Sequence, residues 1–300
     1  AILHPIDVSV PGTAVFTVIF DRVPGTLEAC LIHAGNRHNV GQVQEGSSQM
    51  NIVKRLYPLV MMLTLMVGAE AVIADQIRVA VASNFSGAIR EIASRFEENT
   101  GHRVKLIFGS TGKHYAQIRN GAPFDVFFAA DARRPKLLES EGGALPGSRF
   151  TYAVGKVSLW SPQPDLVDNS GEVLKSGEFR FLALANPKLA PYGKAAQQVM
   201  AALGVQKTLR GRMVRGENIG QTFQFVRSGN AQLGFIAYAQ LQSDEHKGRG
   251  SLWLPDQSMY DPIEQQAVLL RDNPASRSFV EFVQSEDGRA IIQQFGYGTP

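Results

Sequence analysis

The chain has 300 residues, 44% of them hydrophobic, enough to bury the core of one large domain or two modest ones. Thirty basic and 27 acidic side chains leave a formal charge of +3, and no Lys/Arg cluster or stripe accompanies it, which argues against a nucleic-acid footprint. The single cysteine, Cys30, excludes an internal disulfide, and neither a CxxC nor a Cys/His metal spacing is present.

Residues 1–49 show no clear periodicity. At Met50 the character changes: Lys54 and Arg55 form a short basic region, Leu56–Val67 is apolar apart from Pro58 and Thr64, and small residues follow at Ala69, Ala71 and Ala74. This is the pattern of a secretory signal peptide over 50–74, cleaved after Ala74, and the apolar run is short for a membrane-spanning helix. The expectation is a mature chain of residues 75–300 with no cysteine, exported to a periplasm without a lipid anchor. Residues 1–49 are then a mis-called or non-native extension.

The mature part is organised around a repeated unit. Ile77–Ala82 is short, apolar and β-branched, as a buried strand requires, and stops at Ser83, Asn84 and Ser86. Ala88, Ile89, Ile92, Ala93 and Phe96 then recur at helical spacing up to Gly101. A strand, a hydroxyl- and amide-bearing turn and a helix start together can hold an anion, because the first helical amides lack partners and the dipole is positive there. Val104–Phe108, followed by Gly109-Ser110-Thr111-Gly112-Lys113 and a helix through Tyr115 and Ile118, repeats the unit. Gly121–Asp125 is a turn and Val126–Ala130 a third strand. A helix through Leu137 and Leu138 and a strand over Tyr152–Trp160 come next. Phe181–Ala185 runs into Asn186-Pro187, then Pro191-Tyr192-Gly193 and a helix over about 194–203, a third unit of the same kind. Arg215–Gln221 is a polar turn before another helix, Gln232–Tyr238 and Gln266–Leu270 read as strands, and Ser276–Gln294 suits two closing helices. Alternating strands and helices predict an α/β fold with largely parallel sheets, whose ligands bind beyond the carboxyl ends of the strands. Any one such turn is ordinarily just a helix cap; the repetition points further.

With these residues in place, the chain resembles the periplasmic molybdate-binding proteins of ABC uptake systems over essentially all of residues 75–300. The resemblance rests on Ser83-Asn84-Phe85, on Phe108–Ile118, and on Asn120–Val126 with Asp131. Asn186–Gly193 and Glu217–Gln221 leading to Gly234 complete it. It implies the two-lobed class II periplasmic binding protein fold, with a ligand cleft between two mixed-sheet α/β lobes: residues 75–152 plus 260–300, and residues 153–259. It implies Ser83 as hydroxyl and N–H donor with Asn84 beside it, Thr111 or Ser110 as the hydroxyl of the second turn, and Tyr192 and Ile219 as backbone N–H donors. It implies no cofactor and no metal beyond the molybdate or tungstate ligand itself, a monomer, and a membrane permease with its ATPase as partners. Some relatives place a tyrosine hydroxyl where this chain has Ala237. Tyr238, one residue on, faces the other way in a strand and cannot be assumed to replace it.

The chemistry is coherent without the family. A dianion carrying no proton accepts hydrogen bonds only, so uncharged donors suit it, whereas a carboxylate would reject it and favour a protonated phosphate. Asp125 and Asp131 lie near the turns and read as capping or surface charges, and Arg215 as a loop charge. An enzyme is the chief rival, but the Gly109–Lys113 stretch fits neither a GxSxG elbow nor a P-loop, and His102, His114 and His246 have no ligand spacing. A receptor for sulfate, thiosulfate, phosphate or a small carboxylate is the other.

Overall fold

The computed structural model describes residues 76–298 and, as strand backbone, Ile6–Val8 (β1), Phe16–Val23 (β2) and Thr26–Ile32 (β3). These three strands form an antiparallel sheet within a separate unit, Ala1–Ala71. Sequence periodicity missed the β2–β3 hairpin, although Pro24-Gly25 stands between two largely apolar runs, the first rich in β-branched and aromatic residues. The predicted signal peptide, residues 50–74, lies outside the described residues.

The unit Val72–Pro300 holds two five-stranded mixed sheets. The first has the order β5 (Arg103–Gly109), β4 (Gln76–Ala82), β6 (Val126–Phe128), β13 (Ile263–Leu269), β7 (Phe150–Gly155). The second has the order β10 (Met213–Gly216), β9 (Leu182–Ala185), β11 (Leu233–Ala237), β8 (Val157–Ser161), β12 (Ser251–Trp253). In the first sheet β4 pairs parallel with β5 and β6, while β13 is antiparallel to β6 and β7. The second sheet repeats this, with β9 parallel to β10 and β11, and β8 antiparallel to β11 and β12. The two-lobed, mixed-sheet α/β architecture is therefore the one expected. The expectation of largely parallel sheets holds for only half of the pairings, because β7, β8, β12 and β13 flank the passages between lobes and need no helical crossover to reverse direction.

Tyr152–Trp160, read from sequence as one strand, is two. β7 ends at Gly155 in the first sheet and β8 begins at Val157 in the second, so the chain changes lobe at Lys156. Residues 153–155, assigned to the second lobe, pair with Ile263–Gln265 in the first. The run is buried on both sides of Lys156, and that single exposed residue is too short a break to separate two strands in sequence.

Helix α1 (Ser86–Thr100) packs on the first sheet through Ala88, Ile89, Ile92, Ala93 and Phe96, the residues its spacing predicted, and Gly101 ends it at φ +74°. Then come α2 (Thr111–Arg119), α3 (Arg133–Ser140), α4 (Val173–Ser176), α5 (Pro191–Ala202), α6 (Ile219–Arg227), α7 (Pro274–Gln284) and α8 (Glu286–Gln294). β4 and β9 each stand between two parallel partners, at the point where successive connections diverge to opposite sides. Ligand crevices open there in α/β sheets.

Candidate functional site

Ser83–Phe85 form a short 3-10 turn directly off β4. Phe85 is fully buried, its ring centroid 4.5 Å from that of Tyr152, 5.6 Å from Tyr297 and 5.8 Å from Phe128. That packing pins the turn to the core and leaves Ser83 and Asn84 at the sheet's carboxyl edge. Off β5, Ser110 caps α2, its Oγ accepting from Lys113 N at 3.3 Å. In the second lobe Pro191 opens α5, and Asn218 caps α6, its Oδ1 accepting from Gln221 N at 2.9 Å. Each start leaves amides without an intrahelical acceptor at the positive end of the dipole.

The four starts meet at one small pocket. All six residues singled out from sequence, Ser83, Asn84, Ser110, Thr111, Tyr192 and Ile219, line it, together with Asn218 and the walls Ala82, Gly109, Ala130, Ala190 and Pro191. The lobes touch around it. Ser83 Oγ donates to Asn218 Oδ1 at 3.1 Å and accepts from Gly220 N at 3.1 Å. Gly112 N donates to Leu189 O at 2.9 Å, Lys113 pairs with Glu217 at 3.0 Å, and Arg134 donates to Lys188 O at 3.1 Å.

Two of these side chains already spend their protons within the protein, Ser83 on Asn218 Oδ1 and Asn84 behind the wall. Thr111 Oγ1 accepts from Ala130 N at 3.0 Å, which leaves the hydroxyl proton to be donated elsewhere. Tyr192 lines the pocket while its phenol turns away, to 3.5 Å from Gln265 Nε2, so the side-chain oxygen is engaged elsewhere. A Cβ at Gly155 would stand 2.2 Å from that phenol oxygen, which is why glycine ends β7. Asn84, however, spends both side-chain N–H groups behind the wall, on Gln265 Oε1 at 2.6 Å and on Tyr297 OH at 3.2 Å. It can serve the pocket as an N–H donor through its main chain only. Ala237 is buried at the end of β11, and Tyr238 packs against Gly296 instead of entering the pocket, so it does not replace the missing hydroxyl.

Of the charged candidates, Asp125 accepts from Arg78 N at 2.7 Å, Asp131 caps the start of α3 and pairs with Arg134, and Arg215 is exposed; none lines the pocket. His114 is buried behind it, Nε2 3.2 Å from Val81 O and Nδ1 3.2 Å from Gln117 Oε1. Burial lowers its pKa, against the hydrogen bonds to Gln117 and Val81, and favours a neutral imidazole. Sequence reasoning missed Asn218, Gln265 and Tyr297. The first was legible as an N-cap before Ile219; the other two reach the site from more than a hundred residues away and carry no local signal.

Burial also raises the phenols of Tyr152, Tyr192 and Tyr297 above the ordinary tyrosine range. The unfolded chain releases these protons near pH 10, while the folded chain holds them to higher pH. Stability should therefore be fully present below about pH 10 and lost as pH rises through the folded values, seen as a melting temperature that is flat from about pH 7 to 9 and then falls.

The bacterial extracellular solute-binding protein family model matches residues 77–298. A molybdate-binding protein of Azotobacter vinelandii is 49% identical over 228 residues, covering 75% of this chain and 90% of the relative. One of Rhodobacter capsulatus is 46% identical over 244 residues, covering 80% and 93%. Among solved structures, the Azotobacter vinelandii periplasmic molybdate-binding protein aligns with a TM-score of 0.72 at 43% identity, over 75% of this chain and 99% of that one.

Proposed function

Because this chain belongs to the bacterial extracellular solute-binding proteins, we propose that it captures molybdate, and tungstate with it, between its lobes and delivers it to the permease and ATPase of an ABC uptake system. The observation that carries this reading is a small interlobe pocket lined by neutral donors and by no carboxylate: the hydroxyls of Ser83, Ser110 and Thr111, and the leading amides of four helices. A proton-free dianion accepts from them in charge-assisted hydrogen bonds at the positive ends of their dipoles, the Ser83 hydroxyl turning to it from Asn218 Oδ1. The ligand bridges turns of both lobes, so its binding favours the closed arrangement, with the passages at Lys156 and between β12 and β13 as the hinge.

Nothing around the two candidate nucleophiles supports bond-making. Ser83 meets an amide oxygen and a backbone N–H, and Thr111 a backbone N–H, and neither has a base. The reading places the protein in the periplasm as a monomer released after residue 74. No helix among the described residues is long and apolar enough to cross a membrane.

Calorimetric titration of the purified protein with molybdate, tungstate, sulfate and phosphate tests the proposal. Tight one-to-one binding of the first two with weak sulfate and phosphate is expected; no heat with any oxyanion overturns it. At the level of single residues, Thr111→Ala removes a ligand donor and leaves Ala130 N without its acceptor, and Ser83→Ala removes a donor. Each should weaken molybdate binding by about 1–3 kcal/mol. Unchanged affinity in both would remove the site assignment.

A further inference from the structure

The wall that carries Asn84 is held from behind by a buried polar chain. At the end of the described chain, Gly298 and Val154 exchange two backbone hydrogen bonds, of 2.8 and 2.9 Å, on the outer edge of β7. That bridge brings the Tyr297 phenol to the turn after β4, where its O–H donates to Asn84 O at 2.7 Å and its oxygen accepts from Asn84 Nδ2 at 3.2 Å. The second proton of that amide goes to Gln265 Oε1 at 2.6 Å, which also accepts from Tyr152 OH at 3.1 Å. Gln265 is fully buried at a register shift in β13, the strand by which the chain returns from the second lobe. Residue 84 is thus gripped at its carbonyl and at both side-chain protons by groups that do not themselves line the pocket.

We propose that Tyr297 and Gln265 are positioning residues that set which tetrahedral oxyanion the pocket accepts, an inference that rests on reading the site as a molybdate pocket. Sulfate and molybdate present the same charge and the same tetrahedron of acceptor oxygens, and sulfate is the smaller. A pocket of neutral donors with yielding walls would contract around sulfate and bind it as well. Rejection by size requires a wall that cannot close in, so that the smaller ion leaves its hydrogen bonds stretched. The Asn84 part of the wall meets that requirement, since its carbonyl and both side-chain protons are held within its own lobe, by Gln265 of β13 and by Tyr297 beside the C-terminal bridge.

Tyr297→Phe removes the phenol oxygen while keeping a ring to pack against Phe85. In titrations of the full chain, molybdate affinity should fall about tenfold with sulfate affinity unchanged or higher, so that the preference for molybdate shrinks by about tenfold or more. Gln265→Met, which removes the other acceptor of the Asn84 amide at similar volume, should shift the preference the same way, and it carries the test if Tyr297→Phe does not fold. A merely structural role would lower both affinities in proportion. An unmoved ratio in a folded variant, with normal molybdate binding by the unsubstituted protein, overturns this inference alone. Absence of molybdate binding by the unsubstituted protein overturns the functional reading and this inference with it.

Discussion

Ser83→Asp is expected to abolish molybdate binding while leaving the fold intact. The Ser83 oxygen already accepts from Gly220 N at 3.1 Å, across the cleft and at the head of α6. A carboxylate there would take the amides and the dipole meant for the ligand, and would then repel a dianion in a site with no cation on its lining. Juxtaposed like charges cost several kcal/mol, so a loss of at least about 4 kcal/mol, a thousandfold, is expected. Asn218 Oδ1 lies 3.1 Å from the serine oxygen, and turning its amide to donate would cost the cap on Gln221 N. Against that, an acidic group at a helix N-terminus is worth about 0.3–1 kcal/mol, so melting should stay close to the unsubstituted value. Ser83→Asn, neutral and of like size, should lose far less affinity. Titration and melting of the two variants separate charge from shape; binding within about tenfold of the unsubstituted protein in Ser83→Asp would show that residue 83 does not face the ligand.

Much of this site was legible because it is built from local grammar. Ser83 and Ser110 stand where hydroxyl residues meet the start of an apolar helical period, and Pro191 marks a first helical position; Ser110 is a side-chain cap, as is Asn218, whose role went unread although the signal is in adjacent residues. β4 and β9, the strands before two of the turns, are apolar and largely buried because each lies between two partners in its sheet. What stayed hidden is non-local. Gln265 and Tyr297 are an ordinary strand residue and an ordinary terminal aromatic until the fold sets them 2.6 and 3.2 Å from Asn84 Nδ2. The change of lobe at Lys156 is hidden for the opposite reason: an apolar run satisfied in two successive sheets looks like one strand. β10 and β12, of four and three residues, are too short for alternation to register. The pocket's size, on which oxyanion discrimination turns, depends on these non-local ties and so has no counterpart in any one motif.

The placement of the Tyr192 amide depends on a close approach that only glycine permits, so Gly193→Ala should damage stability and binding together. Gly193 is the third residue of α5, its N–H donating to Ala190 O at 3.0 Å. A Cβ there would lie 2.2 Å from Ala185 O and 2.8 Å from its carbonyl carbon, both main-chain atoms that cannot rotate aside. Ala185 is itself fixed as the buried end of β9, and Asn186 N donates onward to Gly216 O at 2.8 Å. The helix must therefore lift from the strand by about 1 Å to restore an ordinary contact. Overpacking of this kind costs about 1–3 kcal/mol, or about 2–12 °C in melting temperature for a domain of this size. The same displacement carries the Tyr192 N–H out of the pocket and its phenol away from Gly155 and Gln265, beyond the roughly 0.5 Å tolerance of a preorganised site, so molybdate affinity should fall by about tenfold or more. Gly211→Ala is the control, since a Cβ there meets nothing within 4 Å. Melting and titration at the unsubstituted values for both variants would mean that the approach of α5 to β9 does not place the Tyr192 amide; loss in Gly193→Ala alone ties the second lobe's donor to this one contact.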